Sequence, residues 1–211
     1  MKQIKQFVFN HFMENSYVVW DEVSKEASVI DPGAYGAYEV EELVQFIEKN
    51  GLDLKHVLLT HAHIDHVCGL RQVCEHFGLP VTLHADGVRL LGRTEVYGQV
   101  MRFDRVSDMS DLRTVPVSDG DRVGPFECRY VPGHCPGSMA YVLHENRVVF
   151  TGDALFRGSI GRTDLPGGDY DQLVRSIRSK ILTLDDLYEV LPGHGDVSSV
   201  GEEKMYNGFL Q

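Results

Sequence analysis

The ten histidines of this chain are unevenly placed, and their placement restricts the fold more than any other feature. Three of them, with an aspartate, follow an apolar run directly: Leu58-Leu59-Thr60-His61-Ala62-His63-Ile64-Asp65-His66. His61 and His63 alternate, so in extended backbone both side chains point the same way. Asp65 and His66 fall at the mouth of the next helix, where one turn aims them at a neighbouring point. Imidazole nitrogen and carboxylate oxygen are the donors that suit zinc and related divalent ions. The spacing therefore builds two adjacent half-sites rather than one.

Three more candidates stand just after apolar strands. They are His134 in Val131-Pro132-Gly133-His134-Cys135-Pro136-Gly137-Ser138, Asp153 in Phe150-Thr151-Gly152-Asp153-Ala154, and His194 in Leu191-Pro192-Gly193-His194-Gly195. Glycines on such turns let the backbone come close to a shared centre. Singly, each is an ordinary turn residue; as a set with the first motif, they complete a site.

The rest of the pattern says what carries that site. Short β-branched and aromatic runs predict strands at 4–9, 17–20 and 27–30, the third ended sharply by Asp31-Pro32-Gly33. Val40, Leu43, Val44 and Ile47 make one apolar helix face, closed by Gly51. A strand over 56–60, a helix over 67–77 and a strand over 81–84 follow. Residues 85–113 read only as a helical turn near 87–91 and then mixed sequence. Strands are expected at 114–117, 126–131, 139–143 and 148–151, with a hairpin turn at Glu145-Asn146. A helix over 170–182, a strand over 188–191 and a short tail complete the chain. Each half thus supplies a sheet with helices outside it. Stacked face to face, the sheets give an α/β (α+β) four-layer αββα sandwich in a single domain over residues 1–211.

Composition narrows the class of partner. The 211 residues carry 20 Lys+Arg against 31 Asp+Glu, a net charge of −11, which argues against a nucleic-acid partner. Apolar runs are too short for a membrane span, and the N-terminus lacks the apolar core of a signal peptide. The four cysteines (Cys68, Cys74, Cys128, Cys135) form no Cys-x-x-Cys pair, so a reducing cytoplasm is expected. Cys135 stands out because it directly follows His134.

Thr60–His66, His134, Asp153 and His194 together resemble the metallo-β-lactamase superfamily, specifically its glyoxalase II-like (hydroxyacylglutathione hydrolase-like) branch. The likeness runs from Asp31-Pro32-Gly33 to Pro192-Gly193-His194-Gly195. It implies the αββα fold and a two-metal site at the edge of the sheets, with zinc the first expectation and iron or manganese alternatives. In that family pattern His61, His63 and His134 hold one ion, Asp65, His66 and His194 hold the second, and Asp153 bridges. Asp31 orients ligands from behind. A hydroxide shared by the ions, with Asp65 offsetting their charge, attacks a carbonyl whose oxyanion a metal takes.

A small-molecule thioester suits such a site, because a thiolate leaves without an acid catalyst. The resemblance points to S-lactoylglutathione or a related hydroxyacyl thioester. Only 17 residues (211 − 194) follow His194, so a C-terminal helical domain for gripping glutathione is not expected. Asp153 sets the chain apart from antibiotic-hydrolysing lactamases. In Gly161-Arg162-Thr163-Asp164, Arg162 can fork onto a substrate carboxylate, steadied by Asp164. Equally, the two can form a structural pair that holds the loop. A mononuclear-iron persulfide dioxygenase is the alternative on the same scaffold, with His61, His134 and Asp153 on the iron. The acyl group, the thiol carrier, the native metal and the oligomeric state stay open.

Overall fold

The computed structural model describes residues 1–211. The first sheet has the order β1-β2-β3-β4-β5-β6. Its strands are β1 (Gln3–Phe9), β2 (Glu14–Trp20), β3 (Glu26–Ile30), β4 (Asp53–Leu58), β5 (Val81–His84) and β6 (Thr114–Val117). The first three pair antiparallel and the rest parallel. The second sheet contains β7 (Arg122–Val123), β8 (Phe126–Tyr130), β9 (Met139–Leu143) and β10 (Val148–Gly152). A small hairpin, β11 (Leu155–Phe156) with β12 (Ser159–Ile160), leads on to β13 (Glu189–Pro192) and β14 (Ser198–Ser199). The second sheet's order is β14-β13-β10-β9-β8-β7.

Three buried layers give the four-layer sandwich. Tyr17, Val19, Ile30 and Leu58 of the first sheet meet Phe126, Met139, Tyr141 and Phe150 of the second in the central layer. One outer layer packs α1 (Gly36–Lys49) and α3 (Leu70–Phe77) on the first sheet through Leu43, Ile47, Leu70 and Val73. The other packs α6 (Tyr170–Ser176), its π-helical continuation Ile177–Ile181 and α7 (Val200–Tyr206) on the second, through Leu173, Ile177, Ile181 and Val200. No helix is long and apolar enough to cross a membrane.

Strand direction positions the site. β10 is parallel to β13 and antiparallel to β9, and β9 is antiparallel to β8. β8, β10 and β13 therefore all run the same way, and the residues after them emerge at one end of the sheet. Those residues include His134, Asp153 and His194. The first sheet is tied on at the same end. Met139 N donates to Thr60 O (2.7 Å), Asn15 N to Gly193 O (2.8 Å) and Tyr17 Oη to Pro192 O (2.7 Å).

Several elements differ from the sequence expectation. β4 begins at Asp53 and ends at Leu58, so Leu59 and Thr60 already belong to the loop. The helix expected over 67–77 is two, α2 (Ile64–Val67) and α3, broken where Gly69 passes the Pro32 and Ala34 carbonyls too closely for a Cβ. Residues 85–113 hold two helices, α4 (Val88–Leu91) and α5 (Thr94–Met101). The expected tail forms β14 and α7 instead.

Candidate metal centre

The histidine motif is delivered in two parts. The extended loop after β4 presents His61 and His63, and α2 begins at once to present Asp65 and His66. The donor atoms of His61, His63, His134 and Cys135 lie within 4.8 Å of one another, and so do those of Asp65, His66 and His194. The two half-sites read from the sequence are thus both assembled. His63 Nδ1 and His134 Nε2 are 2.8 Å apart in the first group, and Asp65 Oδ2 is 3.1 Å from His194 Nε2 in the second. Asp153 stands between them. Its Oδ1 is 3.2 Å from His66 Nε2, while Oδ2 is 3.7 Å from His134 Nε2 and 3.6 Å from His194 Nε2. Bonds of about 2.0–2.2 Å to one ion would leave donors about 3 Å or slightly more apart, which is the spacing seen.

A further set of groups fixes the rings. Asp31 Oδ2 lies 3.0 Å from His66 Nδ1, and its Oδ1 accepts the Thr60 amide at 2.7 Å. Asp31 itself sits at φ 48°, a left-handed position that aspartate tolerates better than most residues. Sequence reasoning found Asp31 but missed three partners. Thr60 Oγ1 bridges Asp31 Oδ2 and His61 Nδ1, the Arg162 carbonyl faces His134 Nδ1 at 2.8 Å, and the Phe12 carbonyl faces His194 Nδ1 at 3.0 Å. Two of these are backbone carbonyls, which no residue identity announces. Asn15 adds a clamp, its Nδ2 donating to Pro192 O and Gly195 O at 3.0 Å each on either side of His194. At Gly193 a Cβ would overlap Asp153 Oδ1 and His66 Cε1, so only glycine lets this backbone approach.

The electrostatics fit cations. Burial, reinforced by neighbouring imidazoles, pushes His61 well below an ordinary histidine and His63 down to about 4, so both are neutral and ligand-ready. Burial opposes ionisation of Asp65 and Asp153 as well, yet His66 and the other imidazoles hold both carboxyls below their usual range. Burial would also neutralise His66, but Asp153 and Asp65 override it and raise that imidazole well above its ordinary value. A bound cation would take the place of that proton. Most telling, His61 Nε2, His66 Nε2 and Asp153 Oδ1 are buried and make no hydrogen bond, although such groups are almost always paired. Three orphaned donors converging between two clusters are what a metal pair requires.

Cys135 contributes less than its position suggested. Its buried thiol is pushed up to about 12, chiefly by burial, and contacts Ser138 Oγ at 3.3 Å. Arg162 and Asp164 do pair, Nε to Oδ1 and Nη2 to Oδ2, both at 2.8 Å and largely in solvent. A cavity of about 390 Å³ opens over the donors, lined by His63, Asp65, His134, Asp153 and His194 together with Arg162 and a set of apolar side chains.

A family model of the metallo-β-lactamase superfamily matches residues 10–194, which span every donor named above. The chain belongs to this superfamily. It is 39% identical over 207 residues to the hydroxyacylglutathione hydrolase GloC of Haemophilus influenzae, covering 94% of this chain and 93% of that protein. Among solved structures, the B3 metallo-β-lactamase BLEG-1 superposes with a TM-score of 0.88 at 34% identity, covering 99% of this chain and 100% of that one. TTHA1623 in a di-iron-bound form gives 0.88 at 34%, covering 98% and 100%.

Proposed function

We propose that this protein is a binuclear metallohydrolase acting on thioesters, with S-lactoylglutathione or a related hydroxyacyl thioester as substrate. The observation that carries the reading is Asp153, whose two oxygens face the two donor clusters at the floor of a substrate-sized cavity. The likeness to GloC over nearly the full length of both chains supports the substrate class. His61, His63 and His134 would hold one ion and Asp65, His66 and His194 the other, with Asp153 shared. Zinc is the first candidate, then iron or manganese. When bound, such ions supply a nucleophile from water at neutral pH and stabilise charge that develops on a carbonyl oxygen.

The chain's own groups do the rest. Asp65 and Asp153, held ionised, moderate the positive charge of the centre. Asp31, Thr60 and the Phe12 and Arg162 carbonyls fix which nitrogen of His66, His61, His194 and His134 faces inward. The apolar lining limits water at the reacting carbonyl. No side chain need protonate the leaving group, since a thiolate of pKa about 8.5 departs unaided. Arg162, at the cavity wall, binds a carboxylate of the substrate and Asp164 steadies its fork.

Hydrolysis of β-lactams is a second reading, favoured by the likeness to BLEG-1. The two are separated by assaying one metal-loaded preparation, and its His63→Ala variant, on S-lactoylglutathione and on a chromogenic cephalosporin. Thioester turnover that is lost in the variant supports the proposal. Lactam turnover without thioester turnover overturns it.

A further inference from the structure

We infer that the cavity selects its substrate through an apolar acyl chain on the reacting carbonyl, and only weakly through the charges of the thiol carrier. The inference rests on the thioesterase reading above and concerns how that site ranks acyl groups, longer apolar ones ahead of short ones.

The apolar part of the cavity wall includes Phe12, Leu90, Tyr97, Met101 and Leu165. These come from separate parts of the chain. Phe12 is on the β1–β2 hairpin, Leu90 on α4, Tyr97 and Met101 on α5, and Leu165 on the loop after Arg162. Tyr97 and Met101 are four residues apart, so one face of α5 presents both. Leu90, Tyr97, Met101 and Leu165 are each half-buried, the state of side chains that a ligand would finish covering. α5 also packs on α2, the helix that carries Asp65 and His66, which ties this wall to the reacting centre.

The polar side of the cavity offers a carrier little. Arg162 is its only Lys or Arg, and the Nε–Nη2 edge of that guanidinium already lies on Asp164 at 2.8 Å. The pair is largely in solvent, where such contacts are weak. A carrier with several carboxylates would therefore meet a single cation, already shared with Asp164, on a chain of net charge −11. The carrier then extends past Arg162 towards water, and the acyl chain takes the apolar wall. At about 390 Å³ the cavity is near the small end of the ~300–1,000 Å³ range of ligand sites, with room for the thioester and a short acyl chain on the apolar wall.

The test uses the metal-loaded protein with acetyl, butyryl and hexanoyl thioesters of two thiols, glutathione and the uncharged N-acetylcysteamine. Full burial of a methylene is worth about fourfold, so kcat/KM should rise at least about tenfold from acetyl to butyryl on either thiol. Changing the thiol at fixed acyl group should alter kcat/KM only a few-fold. Met101→Gln, which keeps length but adds an amide, should lower the butyryl-to-acetyl ratio. Its Tm confirms that the variant is folded, and the substrate series on the unmodified protein stands independently of it. Rates that ignore acyl length, or that depend mainly on the thiol, overturn the inference and leave the thioesterase reading intact. Failure to hydrolyse any thioester overturns both.

Discussion

Asp31→Asn isolates the role of the groups behind the metal donors. The substitution keeps size and shape, and Oδ1 can still accept the Thr60 amide at 2.7 Å. The second atom becomes an NH2 that faces Thr60 Oγ1 and, at 3.0 Å, His66 Nδ1. Flipping the amide brings no relief, because the NH2 would then meet the Thr60 N–H, donor against donor. With an N–H opposite Nδ1, His66 must accept there and carry its proton on Nε2, the nitrogen aimed at Asp65 and Asp153. A protonated Nε2 has no lone pair for a cation. Loss of such an outer partner usually weakens metal binding by about 10–100-fold, or about 1.4–2.7 kcal/mol. The inverted tautomer places the expected effect at the upper end. Competitive titration against a chromophoric chelator should show the second ion weakened most and the first less, because Asp31 reaches the first group only through Thr60 Oγ1 on His61, while His134 is held by the Arg162 carbonyl. Two ions bound at unaltered affinity would refute the idea that Asp31 sets the His66 tautomer.

Gly193→Ala should lower metal content and destabilise the fold by about 1–3 kcal/mol, as a methyl forced against Asp153 and His66 must displace one of them; metal analysis and thermal unfolding check this. Arg162→Ala should raise KM for S-lactoylglutathione at nearly constant kcat and change stability by less than about 1 kcal/mol, because its ion pair is exposed. An unchanged KM with a lowered Tm would make the pair a loop brace instead. The metal-free protein should lose stability as pH climbs above about 6.5. His61 and His63, depressed in the fold, lose stability as pH falls from about 6.5, whereas His66 and His194, raised in the fold, lose it as pH climbs above that value. Thermal unfolding of chelator-treated protein across pH 5–8.5 measures this, and a Tm still climbing at pH 8.5 would contradict it.

Much of this architecture was legible in the residues. The alternation of His61 and His63, with Asp65 and His66 close behind, already pointed to two neighbouring donor groups, because such spacing is local and strand and helix periods are fixed, although the helix begins at Ile64 rather than near Val67. The αββα layering followed from where the apolar runs fell. The α5 helix was hidden for two reasons. Gly98 reads as a breaker, yet glycine is required there because a Cβ would press on the Phe103 carbonyl. Val96 and Val100 are exposed while Tyr97 and Met101 face the cavity, so apolar residues occupy both sides and blur the helical period. The last helix did carry a signal, since Ser199 and Glu202 form a capping box of the Ser-x-x-Glu type. The roles of Thr60, Phe12 and the Arg162 carbonyl depend on long-range placement and leave no mark on the local sequence.

Elemental analysis of the purified protein, paired with turnover of S-lactoylglutathione by the same sample, tests the binuclear assignment most directly. Close to two divalent ions per chain, with activity that falls as either is removed by a chelator, is the predicted result. A single iron per chain, with oxygen consumed in the presence of a persulfide and no thioester cleaved, would contradict it and make the mononuclear-iron dioxygenase the correct reading.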